Sequence, residues 1–321
     1  MSISRRYFLK NTGLSLFGAA VVPSFLRRAA YAMEQPGRKK ILVAIFQRGA
    51  ADGLNIVVPF GEKNYYAMRP SIAIPQPSQR SESGPSAIDL DGFFGLHPSL
   101  SSLKPLFDAR HLAIIHAAGS PDSTRSHFDA QDYMESATPG VKATPDGWLN
   151  RFLQSAPHTD ATPFRAVAFS ASTPRTMMGA APCLCTQDLQ GFHLAGKANR
   201  GAQLLASAYE KMYASASDRL LSSTARETFE AISTLQRIQI GEYQPENGAQ
   251  YPRGPLGKSL QQIAQLIKSD AGLEVAFAEA GGWDHHVNEG GVNGQLATRL
   301  KDFGDSLAAF YNDMGDRMAD I

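Results

Sequence analysis

Cysteine is nearly absent from this chain: two in 321 residues, Cys183 and Cys185. A disulfide across one intervening residue is strained, and two thiols alone do not make a zinc site. A disulfide-stapled scaffold is therefore excluded, and the pair reads as small buried or loop thiols. Excess charge is lacking too, with 31 basic and 30 acidic residues and a formal net charge of +1. No Lys/Arg run is interleaved with aromatics, which leaves nucleic-acid binding without support. The apolar stretch near the N-terminus, Leu14 to Val22, is well short of the roughly 20 residues that span a bilayer, so no stable membrane span is expected. A G-x-S-x-G elbow is missing, which argues against an α/β-hydrolase. Residues Gly254 to Ser259 (GPLGKS) end like a phosphate-binding loop, but the earlier glycine is at the wrong spacing and no strand precedes it. Internal repeats and low-complexity tracts are absent as well.

The N-terminus is where the first positive signal lies. Ser4-Arg5-Arg6-Tyr7-Phe8-Leu9-Lys10 has the form of a twin-arginine export signal. A brief apolar region and a small-x-small site at Ala30-Tyr31-Ala32 follow, the pattern of a removable leader. Residues 1–32 are accordingly expected to be a signal peptide and 33–321 the mature domain. The expected destination is the periplasm or the exterior, with the twin-arginine translocation machinery as a partner. That route carries chains already folded, often because a metal or cofactor is loaded first. At 43% apolar and 19% charged residues, the remainder is of ordinary globular composition.

Apolar runs place the strands. Lys39 to Phe46 reads as a first buried strand, Leu112 to His116 as a second, Phe164 to Ser170 as a third and Leu273 to Phe277 as a fourth. Between the first two, Leu100, Leu103, Leu106 and Phe107 have helical spacing after Pro98, so the order strand, helix, strand predicts a βαβ unit. Helices are expected from Ser126 through Glu135, over Trp148 to Ala156, within Ala202 to Ile240 and over Leu256 to Lys268. A last one carries Leu296, Leu300, Phe303, Leu307 and Phe310 on one face. Pro75 to Pro85 reads as an exposed excursion. The fold class predicted is α/β, a mostly parallel sheet sandwiched by helices. The chain stops where such a fold would start its next strand, so a fragment of a longer protein is expected.

Three loops after predicted strands hold the candidate chemistry, because open α/β sheets bind ligands at the carboxyl ends of their strands. Asp52, within Gly-Ala-Ala-Asp-Gly, is either a carboxylate suited to a metal or part of an Asp-Gly turn. Ser126 is either the N-cap of the helix it precedes or a nucleophile on a tetrahedral anion whose oxygens Arg125 clamps. His127 reads equally as a ligand, a substrate contact or a ring packed against the helix. In Gly281-Gly282-Trp283-Asp284-His285-His286, residues Asp284 and His286 point to one side of an extended segment. A carboxylate beside an imidazole is half of a divalent-metal site; a chance pairing in a surface loop is the alternative.

These segments, SRRYFLK, LVAIFQRGAADGLNIVVPFGEKNYYAMRPSIAIP, FGLHPSL, TRSHFDAQDYME, DGWLNR and GGWDHH, together resemble the twin-arginine-exported bacterial family catalogued as domain of unknown function 1501. The resemblance covers essentially the whole mature chain. It implies the alkaline-phosphatase and sulfatase superfamily, whose α/β sandwiches hydrolyse phosphate or sulfate esters at a metal centre; shared fold alone does not carry activity. Under that resemblance Asp52, Asp284 and His286 are metal ligands and Ser126 is the nucleophile; Arg125 and His127, read from the same loop, join Ser126 as the catalytic candidates. The cofactor is a divalent cation (Zn, Mg, Mn or Ca), and the substrate is a small anionic ester. His285 departs from the small residue typical of relatives. The resemblance also implies a further strand, a Ser-Glu-Phe-Gly-Arg-Thr-like segment and an Asp-His-Gly-like segment after Ile321. Without them, the strand at Leu273 to Phe277 is expected to be left as an open edge and the chain to be inactive. The competing expectation is an exported binding or scaffold protein that keeps the fold without turnover.

Overall fold

A computed structural model describes residues 40–77, 85–156, 162–189 and 243–321. The leader, the tip of the proline-rich excursion and the helix-rich stretch expected between Ala202 and Ile240 lie outside the described residues. Two compact units are distinguished, 42–319 and a smaller one of 1–41 with 320–321. In the smaller unit the Ile41 N–H donates to the Asp320 carbonyl at 2.8 Å. Everything below concerns the larger unit.

In chain order it contains β1 (Leu42–Gln47), α1 (Gly53–Ile56), β2 (Val57–Val58), α2 (Lys63–Met68), β3 (Ile88–Asp89) and β4 (Gly95–Leu96). A 3-10 turn (Pro98–Leu103) then leads into α3 (Lys104–Asp108), α4 (His127–Ser136) and α5 (Trp148–Ser155). Next come β5 (Ala166–Phe169), a second 3-10 turn (Arg175–Met177), β6 (Leu184–Thr186), α6 (Pro255–Lys268), β7 (Val275–Ala280) and α7 (Gln295–Met314). Four strands form one parallel sheet in the order β1-β7-β5-β6, and β2, β4 and β3 form a small antiparallel sheet. The architecture is α/β, a parallel sheet flanked by helices.

Burial follows from the pleat. Val275 and Phe277 of β7 join Ala166 and Ala168 of β5 in a core closed by Leu149 and Leu153 of α5 and by Met177. Ala276 and Ala278, both fully buried, point to the opposite face. Helix α6 packs on β7 and on α7 but takes no part in the first core, so it covers that second face with Leu260, Ile263, Ala264 and Ile267. On α7, Leu296, Leu300 and Phe310 are buried as their spacing predicts. Its far end is anchored by Asp313, which is fully buried. That carboxylate accepts from Tyr243 at 2.5 Å, Lys268 at 2.6 Å, Tyr251 at 2.7 Å and the Glu246 N–H at 2.8 Å. Burial works against its charge, but Lys268 and the two tyrosines outweigh burial and hold it below the usual carboxylate range. Among the described residues no helix is long and apolar enough to cross a membrane.

Two expectations fail here. The run Leu112 to His116 joins no sheet: residues 112–115 carry no regular structure, His116 lies in a turn, and Ile115 is 72% exposed. A short apolar run becomes a strand only where a neighbour offers free ladder groups. The strand at Leu273 to Phe277 forms as β7, two residues later, and is central rather than an edge, paired with β1 on one side and β5 on the other. The edges are β1, whose six residues are half-buried or exposed, and β6. Strand β6, whose Leu184 pairs with Val167, went unforeseen because its three residues carry too little pattern. The leucines after Pro98 are divided between a 3-10 turn and α3. The 3-10 turn is itself kinked at Leu100, with backbone φ −97° and ψ 20°, and Pro105 sits in the first turn of α3.

The heaviest side chain shared by these layers is Phe277, 2% exposed. Replacing it by alanine is expected to cost about 3–5 kcal/mol, read as a lowered urea midpoint without change in slope.

Candidate functional site

Strands β1 and β7 run in parallel register to Gln47 and Ala280, so the loops that follow them emerge side by side. Their backbones stay together: Arg48 N–H donates to Ala280 O at 2.8 Å and Trp283 N–H to Arg48 O at 3.4 Å. The Trp283 indole, 1% exposed, donates to Ala280 O at 2.8 Å and meets Phe303 of α7 edge-on. Gly49 lies so close to the second loop that a Cβ there would fall 2.8 Å from Asp284 N, and its φ is +122°. Only glycine suits both the space and the backbone. These contacts present Asp284 at the carboxyl edge of the sheet.

Arg48 adds the third wall. Its guanidinium takes both oxygens of Glu135 on α4 at 3.0 and 3.1 Å, and Glu279 of β7 at 2.8 and 2.6 Å. Burial opposes its charge, yet the hydrogen bonds and charges of the two glutamates raise its pKa further. Glu135, 4% exposed, also accepts the Thr176 N–H at 3.3 Å. Helix α4 is thereby bound to the strand ends, with its N-terminus toward the Asp284 loop.

There the structure brings three of the sequence candidates together. Asp284 Oδ2 lies 3.1 Å from His286 Nε2 and 3.4 Å from His127 Nε2. His286 is 80% exposed, His127 31% and Asp284 34% by side chain, so solvent reaches the group. His127 also stacks obliquely on Phe128, which is 75% exposed. His285 turns away: its Nε2 is buried without a hydrogen-bond partner.

Ser126 caps α4, its Oγ accepting the Asp129 N–H at 3.3 Å. Arg125 is exposed and makes no hydrogen bond or ion pair with the described residues. Asp52 sits in a cluster of its own. It caps α1 through the Leu54 N–H at 3.2 Å and takes both Arg69 nitrogens, at 2.5 and 2.9 Å. Arg69 also reaches Asn55 at 3.2 Å, and Asn55 is held by Tyr65 at 2.6 Å and donates to Ile72 O at 2.9 Å. Both alternatives read at Asp52 and Ser126 thus have their local part realised, a turn and a cap.

Two further residues matter that sequence reasoning passed over. Glu289, five residues after Asp284, joins Asp52; burial, then hydrogen bonding and charge from Asp52, push its carboxyl up to about 7. His97 is fully buried. Its Nδ1 accepts the Ser99 N–H at 3.0 Å, and its Nε2 faces Gly291 O at 3.1 Å, an arrangement that requires the proton on Nε2. Burial lowers its pKa, so it ties down the loop beyond Asp284 as a neutral ring. The histidine before Pro98, inside FGLHPSL, was the available signal.

Asp284, His286 and His127 are the donor types of a divalent-metal site. As they stand they do not close one: among the described residues, no group of three or more His, Cys, Asp or Glu side chains is arranged to hold a metal ion. The rings turn their nitrogens toward the carboxylate instead.

A family model described as "Protein of unknown function (DUF1501)" matches residues 39–319. No curated protein and no solved structure matches the chain.

The raised Glu289 carboxyl yields a signed expectation. The folded state binds its proton more tightly than the unfolded chain does, so this group's stabilisation is complete below the ordinary value of 4.5 and lost as pH rises to about 7, because folding weakens with pH wherever the native state holds more protons. Glu289→Gln, which keeps a donor toward Asp52, is expected to flatten the fall in melting temperature across that window. An unchanged pH profile would place the titration elsewhere.

Proposed function

The chain belongs to that family of proteins of unknown function, and we propose that it is an exported hydrolase of phosphate or sulfate esters, of the alkaline-phosphatase and sulfatase type. One observation carries the reading. His127, at the head of α4, and His286, on Asp284's own loop, converge on the Asp284 carboxylate at the carboxyl ends of a parallel sheet. That is the crevice where open α/β folds place ligands, and the group is open to solvent.

The chemistry can be written for the chain's own groups. Ser126 Oγ, at the head of α4, attacks phosphorus or sulfur as the bond to the leaving alcohol breaks. Its proton passes to the adjacent His127 imidazole, whose charge Asp284 stabilises, and then to the departing alkoxide. Water releases the anion from Ser126 in a second displacement. The helix N-terminus and Arg125 favour the tetrahedral anion. The reading includes a divalent cation, taken by Asp284 and His286, with Asp52 as the third residue the family resemblance implies. When bound, such an ion supplies Lewis-acid stabilisation of the ester oxygens. Since the donors do not form its cage as they stand, no step above depends on it.

A second reading has its own support: an exported binding protein that keeps the fold without turnover. Ser126 Oγ is engaged as a helix cap, and Arg69 occupies both Asp52 oxygens. Turnover separates the two. The inactivity expected from an open strand edge loses its ground, since β7 is paired on both sides, and wild-type chain is expected to hydrolyse an aryl phosphate or aryl sulfate with added Zn, Mg, Mn or Ca. Asp284→Asn is expected to lose at least about 100-fold in kcat, a typical general acid–base contribution, with little change in melting temperature. Absence of turnover with every ion, alongside retained ester binding, would favour the binding protein.

Export through the twin-arginine machinery to the periplasm or exterior belongs to the same reading and rests on Arg5-Arg6 and the segments around them. Changing both arginines to lysine is expected to leave precursor in the cytoplasm, followed by fractionation and blotting. Unchanged delivery would remove the localisation.

A further inference from the structure

Most arginines near the sheet edge are committed. Arg48 and Arg69 each grip carboxylates, Arg151 binds the carbonyls of Asp146 and Ser136, and Arg175 holds Asp132 at 3.0 Å. Arg299 is different. It stands near the start of α7, is exposed, and makes no hydrogen bond or ion pair with any described residue. Its guanidinium is nevertheless placed with care. A Cβ on Gly282 would fall 2.8 Å from Nη2, 2.9 Å from Cζ and 2.9 Å from Nε. All three atoms lie at nearly equal range, so the guanidinium presents its face to the place a side chain on residue 282 would occupy. The residue's φ of +85° is one that side-chain-bearing residues rarely adopt. Gly282 thus makes room for Arg299, two residues before Asp284.

A guanidinium held by its face keeps its N–H edge free, and that edge matches two oxygens of a tetrahedral anion. Arg125 brings a second uncommitted guanidinium two residues before His127. Arg125, just before α4, and Arg299, on α7 beside Gly282, are therefore both cations without a partner among the described residues.

We propose that Arg299 is the anion-recognising residue of this site. Laid over Gly282, it grips the phosphate or sulfate group of the ligand, with Arg125 as a second cation. The ligand class is a tetrahedral dianion or its monoester: a single fork suits a carboxylate equally, but two cations suit a group with more charge and more oxygens. The identity of the attached alcohol as a leaving group rests on the hydrolase reading; the grip on the anion does not.

The test uses the whole chain and inorganic phosphate, sulfate and acetate as probes, titrated calorimetrically in the presence of a chelator. Wild type is expected to bind phosphate and sulfate more tightly than acetate. Arg299→Gln should weaken phosphate at least about tenfold, since a hydrogen bond to a charged group contributes about 1.5–3 kcal/mol. Arg299→Lys should recover part of the loss, because charge is restored without the planar fork. Melting temperatures should agree, Arg299 being exposed. Phenyl phosphate distinguishes an ester from the free ion: if hydrolysed, its KM should rise in Arg299→Gln with kcat little changed. Phosphate binding lost in Arg299→Gln while no variant turns over an ester sustains this inference and removes the hydrolase reading. Equal phosphate affinity in wild type and Arg299→Gln, or no phosphate binding by wild type, overturns it whatever the turnover.

Discussion

The Arg48 guanidinium is the contact on which the arrangement of this site depends. It is one residue beyond β1, and it holds Glu279 of β7 and Glu135 of α4 at once. Three elements from the beginning, middle and end of the described chain meet at one cation. Two carboxylates around it would repel each other without the positive charge, and Glu135 in particular is too buried to be left alone: losing one partner of a buried pair costs several kcal/mol. Packing decides that α4 lies near the sheet; the fork geometry of Arg48 decides at what height along it. Sliding α4 by one turn would break both Glu135 bonds and carry His127 away from Asp284.

Around that pin the loops are held by groups that leave little choice. Trp283 buries its ring against Phe303 and returns its N–H to Ala280, which fixes how the chain leaves β7. His97 clasps the Gly291 carbonyl from the small antiparallel sheet. Between these fixed points Asp284 and His286 are exposed enough to meet a ligand. The contrast with Asp52 is instructive. The same residue type after the neighbouring strand is neutralised by Arg69 and shares its surroundings with Glu289. Two clusters at one sheet edge therefore differ in kind, one compensated by an arginine and the other a carboxylate met only by two imidazoles.

Much of this was legible before any coordinates. Helices with a cap or an apolar face came out within a residue or two: α4 behind its Ser126 cap, and α5 from Trp148, α6 and α7 by their apolar faces, the last with Leu296, Leu300 and Phe310. The i, i+2 spacing of Asp284 and His286 correctly put both on one side. Strand partners were harder. Leu112 to His116 has a better strand pattern than Leu184 to Thr186, yet only the latter finds a ladder, because pairing depends on what lies alongside. The position of β7 in the sheet is likewise a matter of topology, not of its own residues. Arg48 and His97 escaped notice for a related reason. A charged or polar residue acquires its role from groups distant in sequence, and neither carries a spacing signature.

The sheet order also governs when this fold can form. β1 is made first and has a single partner among the described residues, β7, to which Leu42 pairs through Val275. β5 and β6 can find each other early, but β7 lies between them and β1 and arrives near the end of the described chain. Contacts of such long sequence separation make folding slow and leave apolar strands uncovered meanwhile. Until synthesis has delivered Ala280, LVAIF at the start of the sheet has no ladder to join among the described residues. The growing chain must keep that segment from other copies while the more than two hundred residues between β1 and β7 are made.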